Sequence, residues 1–590
     1  MNFFDFLPMI GGLALFLFGM NLLSDGLSKV SGGRLEKILE KLTSNPLKAV
    51  LLGAGVTALI QSSSATTVMV VGFVNSGIMK LQQAVGIIMG ANIGTTATAW
   101  ILSLAGLEGD NFLVQLCKPT SFSPILAIIG VAMIMFSKKE RKQDVGGILI
   151  GFAILMIGMD MMSAAVKPLA DVPEFTSLMT MFKHPLMGML AGAVLTAIIQ
   201  SSSASVGILQ ALALTGAIPI STAVPIIMGQ NIGTCVTAML SAIGASKNAK
   251  RTAFVHLYFN LIGTTIFMIV FYSVNALIGL PFINEAANAG SIALIHSIFN
   301  IFATLILLPF SKGLVKLASL TVRDDVKEEK LSKVDMMIKT LDDRFLDTPS
   351  LAIDHCQEVC CEMAHTVKES LFLAMEQIEN YSDERNEQVH ALEDDVDRYE
   401  DALGTYLVKI GSQNVSERDS YAVSIMLHSI GDFERISDHA VSISESAKEA
   451  TGKEQGFSNK AIAELNVLME AVKEVLTTSV VAFDTKDLKL ATNVEPLEDA
   501  IDDLSDEVKA RHIKRLRKGK CTIEMGFVLS DITTSLERVA DHCSNIAVCL
   551  LEASEESLGV HEYVGALKQP GNQDFEAHRL LYKTKYALPE

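Results

Sequence analysis

Two stretches of nearly identical sequence decide the architecture of this chain: VTALIQSSSAT at residues 56–66 and LTAIIQSSSAS at residues 195–205. Each is followed by a second matching stretch, IIMGANIGTTATA at 87–99 and IIMGQNIGTCVTA at 226–238. Both pairs are displaced by the same 139 residues, without a gap. The chain therefore contains an internal repeat, and the sequence around it indicates what the repeat forms.

The surroundings of the repeat are strongly apolar. Of the 590 residues, 49% are hydrophobic and 19% are charged, with a mean hydropathy of +0.37, whereas soluble domains carry roughly 25% charged residues. Seven stretches are close to the ~20 residues that cross the hydrocarbon core of a bilayer. They lie at about 6–24, 84–105, 121–137, 145–165, 221–244, 252–275 and 291–311. This composition excludes a wholly disordered, collagenous or small disulfide-stapled protein.

Two further apolar regions, 47–80 and 185–217, are interrupted near their middles by the QSSS segments. Each arm is too short to span a bilayer alone, so we expect two re-entrant hairpins with polar tips near mid-membrane. Non-helical backbone is tolerated at that depth only where protein or a water-filled cavity covers it. Three crossings separate equivalent points of the two copies, so we expect them to be inverted relative to one another, as in many secondary transporters.

Basic residues give the predicted spans an orientation. They follow the first, third, sixth and last spans: Lys29, Arg34, Lys37, Lys41, Lys48, Lys138, Lys139, Arg141, Lys142, Lys247, Lys250, Arg251, Lys312 and Lys316. Loops 106–120 and 276–290 are poor in positive charge. Because basic loops stay in the cytoplasm, we expect an outside N-terminus, seven crossings and a cytoplasmic C-terminus.

The repeated polar residues carry no charge, and no Lys or Arg occurs at 49–79 or 184–246. Hydroxyls, carboxamides and free N–H groups at helix ends donate hydrogen bonds to an oxyanion. Carbonyls freed at the same broken ends can surround a small cation together with hydroxyl oxygens. Burying an unpaired phosphate or sulfate costs several kcal/mol, and a co-bound Na⁺ offsets that cost. The pattern therefore favours an anion bound together with its counter-cations.

The segments QSSSAT and GANIGTT, with QSSSAS and GQNIGT, resemble the paired signatures of the sodium/phosphate cotransporter family in its bacterial form. The resemblance covers nearly all of residues 1–315 and implies sodium-coupled transport of inorganic phosphate across the bacterial cytoplasmic membrane. It also implies a set of residues that line the phosphate and sodium sites. These are Gln61, Ser62, Ser63, Ser64, Asn92, Thr95, Thr96, Gln200, Ser201, Ser202, Ser203, Asn231 and Thr234. Cys235 stands where the first copy has Thr96, which argues against a symmetric role for this position.

Other polar residues of the apolar half carry weaker predictions. His256/Asn260 and His296/Asn300 are each four residues apart, which places each pair on one helix face. We interpret both pairs as donors and acceptors of interhelical hydrogen bonds. Asp160 is a candidate for sodium binding, because carboxylates inside membranes are usually functional. The alternative is that it only caps the end of a span or reaches the membrane surface.

From about residue 322 the sequence changes to charged amphipathic helices with a second repeat. ERxxDH occurs at 434–439 and 537–542, and LEDDVD at 392–397 matches LEDAID at 497–502. Each copy is predicted to be a three-helix unit. Glu-x-x-x-Asp spacing aligns both carboxylates on one helix face, where two such faces can hold hard or borderline cations. The residues are Glu393, Asp397, Glu434, Asp438, Glu498, Asp502, Glu537 and Asp541. The alternative is that Arg435 and Arg538 hold these carboxylates in salt bridges.

This half resembles the PhoU domain, a pair of three-helix bundles found in bacterial phosphate control. The resemblance implies a multinuclear site for iron or zinc on the eight carboxylates. It also implies regulation of the fused transporter, with a homodimer or a phosphate-signalling protein as the partner. Nucleic-acid binding is excluded for this half, because phosphate backbones need a basic surface and the chain's net charge of −18 arises beyond residue 320.

The predicted fold class is all-α: a polytopic membrane protein with inverted repeats and two re-entrant hairpins, followed by a cytoplasmic PhoU-like pair of bundles. The predicted domains are transporter repeat 1 at 1–140, repeat 2 with extra helices at 141–320, a linker or helix at 321–349, the PhoU-like domain at 350–555 and a tail at 556–590.

Three alternatives to sodium-coupled phosphate transport stay open. The chain could export phosphate or carry another oxyanion, since a carrier follows the gradients it couples. An intramembrane serine hydrolase could use Ser63 or Ser202 with His256 or His296, but it lacks G-x-S-x-G and an orienting carboxylate. A membrane-tethered metal-binding scaffold leaves the retention of both QSSS copies unexplained. We therefore expect a transporter and not an enzyme.

Overall fold

The computed structural model is helical in both of its compact units, Met1–Lys330 and Leu331–Glu590. It describes residues 3–31, 45–106, 118–168, 182, 184–323, 332–413, 415–453, 456–552 and 573–589. Over these residues there is no strand, only an isolated bridge between Pro219 and Ala286. The all-α class is therefore confirmed. Arg34, Lys37, Lys41, most of the loop at 166–184, part of the predicted linker and residues 556–572 of the predicted tail lie outside the described residues.

The described part of the first unit contains thirteen α-helices. They are α1 Phe3–Ser31, α2 Pro46–Ile60, α3 Ser63–Asn75, α4 Leu81–Ser103, α5 Pro119–Phe136, α6 Glu140–Val166, α7 Pro185–Ile199, α8 Ser202–Ala213, α9 Ile220–Gly233, α10 Cys235–Ser241, α11 Lys247–Ile278, α12 Ala289–Leu307 and α13 Ser311–Thr321.

Six of the described helical segments are long and apolar enough to cross a membrane, and they coincide with six of the seven predicted spans. They are Leu7–Val30, Leu81–Gly106, Glu140–Val166, Ile220–Ser241, Lys247–Ile278 and Ala289–Thr321. The remaining prediction, 121–137, falls on α5, which has 18 residues and is therefore about 27 Å long. It ends at Phe136, and the basic residues Lys138 and Lys139 follow after Ser137.

The two QSSS segments each break a helix in the same way. Gln61 ends α2 with φ 62° and ψ 19°, and Gln200 ends α7 with φ 59° and ψ 19°. The next residues, Ser62 and Ser201, are extended, and their hydroxyls accept a hydrogen bond from the backbone N–H three residues on. Serine is a preferred N-cap for this reason. The four short arms are thus separate helices, and their return within a membrane stays a prediction.

Glycines let α2 pack closely on α4, and α7 on α9. A methyl group on Gly90 would overlap the carbonyl oxygen of Val50, and one on Gly229 would overlap the carbonyl oxygen of Met189. Gly229 and Met189 are the repeat equivalents of Gly90 and Val50. The duplicated sequence therefore forms duplicated helix contacts, because only glycine permits this approach of two backbones.

Helices α1 and α6 pack against each other in antiparallel directions. A methyl group on Gly12 would lie 3.0 Å from the carbonyl oxygen of Gly158, and one on Gly19 would lie 2.7 Å from that of Gly151. Gly151 is the repeat equivalent of Gly12, and Gly158 is that of Gly19. Each glycine thus contacts the equivalent of the other, which is the pairing that a twofold axis produces.

The described part of the second unit contains nine α-helices. They are α14 Lys333–Ile338, α15 Pro349–Gln377, α16 Asp383–Gly411, α17 Glu417–Thr451, α18 Asn459–Thr485, α19 Leu488–Ala491, α20 Val494–Arg517, α21 Ile523–Glu552 and α22 Gln573–Lys585. Helices α15, α16 and α17 pack together, as do α18, α20 and α21, and α17 also packs on α21. The core is apolar, with Phe433 and Phe483 in edge-to-face contact at 5.3 Å.

Candidate functional site

The two serine tips of the first unit meet. The Ser63 and Ser202 hydroxyl oxygens lie 3.3 Å apart, and these two residues are repeat equivalents. Both are buried, at 4% exposure each. The Ser64 hydroxyl donates to the carbonyl oxygen of Gln200 at 3.2 Å. The duplicated motif therefore forms one polar centre from both copies.

Two helix starts converge on this centre, because α3 begins at Ser63 and α8 begins at Ser202. The first N–H groups of a helix have no partner within the helix, and the aligned peptide dipoles make this end positive. The hydroxyls of Ser62 and Ser201 each satisfy only one of these groups. Two positive helix ends with hydroxyls between them form an arrangement that suits an oxyanion.

Oxygen acceptors occur in the helix ends that precede the two serine tips in sequence. The Gln61 side chain donates its amide to the carbonyl of Ala58, while its buried Oε1 accepts no hydrogen bond. Thr57 donates to Thr66 at 3.0 Å in the first copy. In the second copy the hydroxyl of Thr196 is buried without a partner. Unpaired acceptor oxygens next to an anion site are suitable ligands for a small cation.

The asparagines of the two NIGT segments are held by other helices. Asn92 Nδ2 donates to Asn260 Oδ1 at 3.0 Å, and Asn231 Oδ1 lies 3.4 Å from His296 Nε2. All four side chains are at most 5% exposed. The interhelical hydrogen bonds predicted for Asn260 and His296 are therefore confirmed. Those predicted for His256 and Asn300 are wrong, because the His256 ring nitrogens have no partner among the described residues and Asn300 Nδ2 donates within its own helix.

The threonines of the same segments bond to their own helices instead. Thr95 donates to the carbonyl of Ala91, Thr96 to that of Ile93 and Thr234 to that of Gln230. This is the packing role that hydroxyls often have in membrane helices. Ser203 is buried as well, whereas Gln200 is exposed.

Cys235 makes the two copies unequal where the first has Thr96. Its sulfur lies 3.3 Å from Asn260 Nδ2 and 3.6 Å from the carbonyl oxygen of His256. Asp160, the weaker sodium candidate, is exposed. Gln230 is a buried polar residue that the sequence analysis missed: its Nε2 donates to the carbonyl of Ser205 at 2.9 Å. Its signal was a departure from the repeat, since the first copy has alanine at this position.

The geometry disfavours the hydrolase alternative. Over the described residues, no hydrogen bond joins Ser63 or Ser202 to a histidine. A serine nucleophile needs an imidazole within hydrogen-bond reach. The two hydroxyls instead contact each other.

In the second unit, three of the eight predicted carboxylates converge. Oxygen atoms of Glu498, Asp502 and Asp541 all lie within 4.8 Å of one another. Glu498 is 7% exposed. An all-oxygen donor set of this kind suits Mg²⁺, Ca²⁺ or Mn²⁺, whereas structural zinc prefers nitrogen and sulfur.

Glu537 is drawn away from that group. Its Oε2 accepts from Lys509 at 2.7 Å and from Ser505 at 2.9 Å. Burial by itself raises the pKa of Glu537, but these two partners outweigh it and the pKa is lowered. Lys509 has no counterpart in the first copy, where Gly404 stands at the equivalent position.

Over the described residues, the carboxylates of the first copy form no such group, although they are near enough to interact electrostatically. The pKa of Asp397 is raised by burial and by the neighbouring charge of Asp438. The pKa of Glu393 is raised by burial and by Asp397, and that of Glu434 by burial and by Asp438. Such mutual repulsion is relieved when a cation binds.

The two arginines of the ERxxDH motifs bind these carboxylates only at the surface. Arg538 lies 3.1 Å from Asp541, and Arg435 lies 3.7 Å from Glu434. The arginine side chains are 62% and 67% exposed. Exposed pairs contribute little stability, so they do not account for the doubled motif by themselves.

Two histidines were not included in the predicted site. His439 and His542, the last residues of the two ERxxDH motifs, have ring centroids 5.8 Å apart. His542 Nδ1 also lies 2.8 Å from Asp432 Oδ1. His542 and Asp432 line an open groove of about 530 Å³, together with Asp397, Glu400 and Glu434. The signal available in the sequence was the duplication of the histidine itself.

These features define an α-helical membrane protein with a duplicated polar centre, joined to a helical unit that is rich in clustered carboxylates. The model of the Na⁺/Pi-cotransporter family matches residues 15–164 and 156–286, and that of the PhoU domain matches 360–447 and 465–550. The chain belongs to the Na⁺/Pi-cotransporter family and carries a PhoU domain. This family consists of phosphate transporters, which are not a class of enzymes.

Relatives of known name agree with this assignment. The chain is 25% identical to "Putative inorganic phosphate export protein YjbB" of Escherichia coli K12, over 94% of this chain and 99% of that protein. It is 30% identical to "Uncharacterized protein YqeW" of Bacillus subtilis, over 52% of this chain and 95% of that protein. Sodium-dependent phosphate transport protein 2A of Rattus norvegicus is 38% identical over 99 residues, 16% of this chain and 15% of its own length.

Among solved structures, the PhoU protein of Pseudomonas aeruginosa is similar to this chain at 18% identity and a TM-score of 0.33. The match covers 35% of this chain and 97% of that protein.

Proposed function

We propose that this protein is a sodium-coupled transporter of inorganic phosphate, with its substrate site where Ser63 and Ser202 meet. The observation that carries the proposal is the 3.3 Å contact between these repeat-equivalent hydroxyls, at the point where two helix N-termini begin. Phosphate oxygens replace this contact and accept from both hydroxyls and from the free N–H groups. The neighbouring residues of the predicted set shape the site.

The coupled Na⁺ would bind at an unpaired acceptor oxygen, the side-chain oxygen of Gln61. Gln61 precedes Ser63 by two residues, and its carboxamide oxygen is buried and accepts no hydrogen bond. Na⁺ bound there neutralises part of the phosphate charge, which lowers the cost of bringing it into the membrane. The family name and the rat relative support sodium as the coupling ion.

The experiment is transport by the purified full chain in liposomes. Labelled phosphate should accumulate when an inward Na⁺ gradient is imposed, and K⁺ in place of Na⁺ should abolish the accumulation. Phosphate flux that is indifferent to Na⁺ contradicts the symport proposal. Labelled sulfate and arsenate in the same assay determine the selectivity among oxyanions.

Export is the second candidate, because the Escherichia coli relative is named as a phosphate exporter. The same liposomes separate the two, since exit of preloaded phosphate can be measured with Na⁺ on either side. Exit that requires Na⁺ inside supports export by the same coupled cycle.

For the membrane topology, we propose the bacterial cytoplasmic membrane with the N-terminus outside and the PhoU unit in the cytoplasm, supported by the basic loops.

For the PhoU unit, we propose a cation-binding regulator of the transporter, with Glu498, Asp502 and Asp541 as ligands. The donor set favours an oxygen-preferring divalent cation, and iron or zinc would be recognised by elemental analysis of the purified chain. Glu498→Gln should lower the bound cation. A fully folded chain that binds no cation contradicts this part of the proposal and leaves the transport proposal intact.

A further inference from the structure

Two helices outside the 139-residue repeat are themselves a related pair. HLYFN at 256–260 in α11 and HSIFN at 296–300 in α12 are 40 residues apart. A methyl group on Gly263 would lie 3.0 Å from Ala303 Cβ, and these two residues are also related by 40 positions. The pair therefore meets at equivalent points, as α3 and α8 do at Ser63 and Ser202.

Each of these helices makes a hydrogen bond to one of the repeated asparagines, α11 through the asparagine of its motif and α12 through the histidine. On α11, Asn260 Oδ1 accepts from Asn92 Nδ2 at 3.0 Å. On α12, His296 Nε2 lies 3.4 Å from Asn231 Oδ1. Because Asn92 and Asn231 are repeat equivalents, the two halves use the same two motifs in complementary ways.

His256 and Asn300 do not bond to a repeated asparagine, and they are the counterparts of His296 and Asn260, which do. Both ring nitrogens of His256 are buried without a partner, and so is Asn300 Oδ1. His256 and Asn300 are both 0% exposed. A buried polar group without a partner is costly, so its presence at both counterpart positions calls for an explanation.

Asn300 has the same side-chain orientation as Asn260, whose oxygen accepts the bond from Asn92. Asn260 Nδ2 donates to the carbonyl of His256 at 3.1 Å, and Asn300 Nδ2 donates to that of His296 at 2.9 Å. This bond fixes both asparagines in the same orientation on their helices. Applying the twofold relation to the whole network gives a mirror arrangement, in which Asn92 bonds to His256 and Asn231 bonds to Asn300.

We propose that His256/Asn260 and His296/Asn300 form an exchangeable latch, which holds Asn92 and Asn231 in the observed arrangement in one state and in the mirror arrangement in the other. The four latch residues are positioning residues of the transport cycle, and the inference rests on the proposed transport function. Each state has one asparagine–asparagine bond and one histidine–asparagine bond, so these interhelical bonds contribute similar free energies to both states. A carrier that alternates between two states needs such a balance.

The latch predicts effects of opposite sign. His296→Leu and Asn260→Leu remove interhelical bonds of the observed state, whereas His256→Leu and Asn300→Leu remove interhelical bonds of the mirror state only. The two states expose the site to opposite faces, so the ratio of the phosphate KM for entry to that for exit should shift roughly fivefold in one direction for the first pair and in the other direction for the second. His256→Gln, which keeps a donor, should restore the ratio.

These variants are measured as full chains in sealed vesicles of one orientation, and size-exclusion profiles check that each is folded. Shifts of the same sign in all four variants, or none, overturn the latch while phosphate flux in the unmodified chain upholds the proposed function. Absence of flux in the unmodified chain removes the proposed function instead.

A second measurement tests the latch without transport. Spin labels at Leu51 on α2 and Leu277 on α11, both exposed, should give two distances by pulsed electron resonance. His256→Leu and His296→Leu should change the two populations in opposite directions. A single distance that neither variant changes overturns the latch, whatever the flux.

Discussion

At the scale of single residues, two glutamines determine where the polar centre forms. Gln61 and Gln200 both adopt positive φ, at 62° and 59°, which costs an L-residue roughly 1–2 kcal/mol. The serine N-caps that follow return about 1 kcal/mol each. The caps therefore offset part of the cost of the break, which places Ser63 and Ser202 at the start of new helices.

A prediction for single residues concerns the two hydroxyls that meet. Ser63→Ala and Ser202→Ala should each raise the KM for phosphate about tenfold or more, because a hydrogen bond to a charged group contributes roughly 1.5–3 kcal/mol. Folding should be retained, since the two hydroxyls contact mainly each other. The measurement is initial uptake in proteoliposomes against phosphate concentration.

The matched control for these variants is Ser103→Ala. The Ser103 hydroxyl donates only to the carbonyl of Trp100 on its own helix, at 2.7 Å, so its loss should leave the KM unchanged. An unchanged KM in both Ser63→Ala and Ser202→Ala shows that the site lies elsewhere.

At the scale of helices, close backbone contact positions the NIGT segments beside the serine tips. In the first copy α2 lies on α4 through Gly53 and Gly90, and in the second α7 lies on α9 through Gly192 and Gly229. The approach is that of small residues in membrane helices. Since α2 ends at Gln61, directly before the serine tip, and Asn92 lies on α4, any separation of α2 and α4 would move Asn92 away from the tip.

The helix-scale prediction uses two glycines of one helix. A methyl group on Gly53 would overlap the carbonyl oxygen of Ile87, whereas one on Gly55 would meet no atom within 4 Å. Gly53→Ala should therefore lower the free energy of unfolding by roughly 1–3 kcal/mol, and Gly55→Ala should leave it equal or up to about 1 kcal/mol higher. Thermal unfolding followed by size exclusion measures both.

Gly192→Ala, the repeat equivalent of Gly53→Ala, should behave in the same way, because its methyl group would overlap the carbonyl oxygen of Ile226. Equal stabilities of Gly53→Ala and Gly55→Ala would mean that α2 and α4 do not make this contact.

At the scale of the whole molecule, the two units differ in electrostatics: the first has an uncharged polar centre and the second has clustered carboxylates. The first unit gathers neutral donors and acceptors around Ser63 and Ser202, so the proposed ion site there contains no fixed charge. The second unit gathers carboxylates that repel each other, and the pKa values of Asp397, Glu434 and Asp541 are raised, first of all by burial. A cation stabilises such a cluster by binding to the folded form alone.

This predicts a cation effect that depends on pH. Because the folded pKa of the proposed ligand Asp541 is raised above the ordinary 3.8 of aspartate, first of all by burial, this carboxylate destabilises the folded unit at neutral pH. The destabilisation disappears as the pH falls through the raised pKa. Mn²⁺ or Mg²⁺ should therefore raise the melting temperature of the second unit at pH 7, by an amount that shrinks to zero at acidic pH.

Scanning calorimetry of the full chain, in the presence of EDTA or of millimolar Mn²⁺ or Mg²⁺, measures this effect. Glu498→Gln combined with Asp502→Asn should abolish most of it. Glu449→Gln, which removes only a surface pair with Lys453 at 3.0 Å, is the control and should retain it. Equal stabilisation in both variants would place the cation outside the carboxylate group.

Much of the architecture could be predicted from the sequence, because its causes are local. The length of the apolar stretches, the serines that cap helices and the identical register of the two copies are visible in the letters. They predicted the all-helical class, helix breaks at Gln61 and Gln200, and seven spans, of which six are long enough to cross a membrane in the described residues. They also predicted that Asn260 and His296 bond between helices, without naming Asn92 and Asn231 as their partners.

What only the tertiary structure decided are the contacts between distant segments. Ser63 meets Ser202, Lys509 captures Glu537, and His439 lies beside His542, because helices far apart in the chain pack together there. Periodicity reports which face of a helix is apolar, but it does not report which helix covers that face. The sequence by itself therefore determined the helices and the chemistry of their polar residues, and packing decided which of those residues share a site.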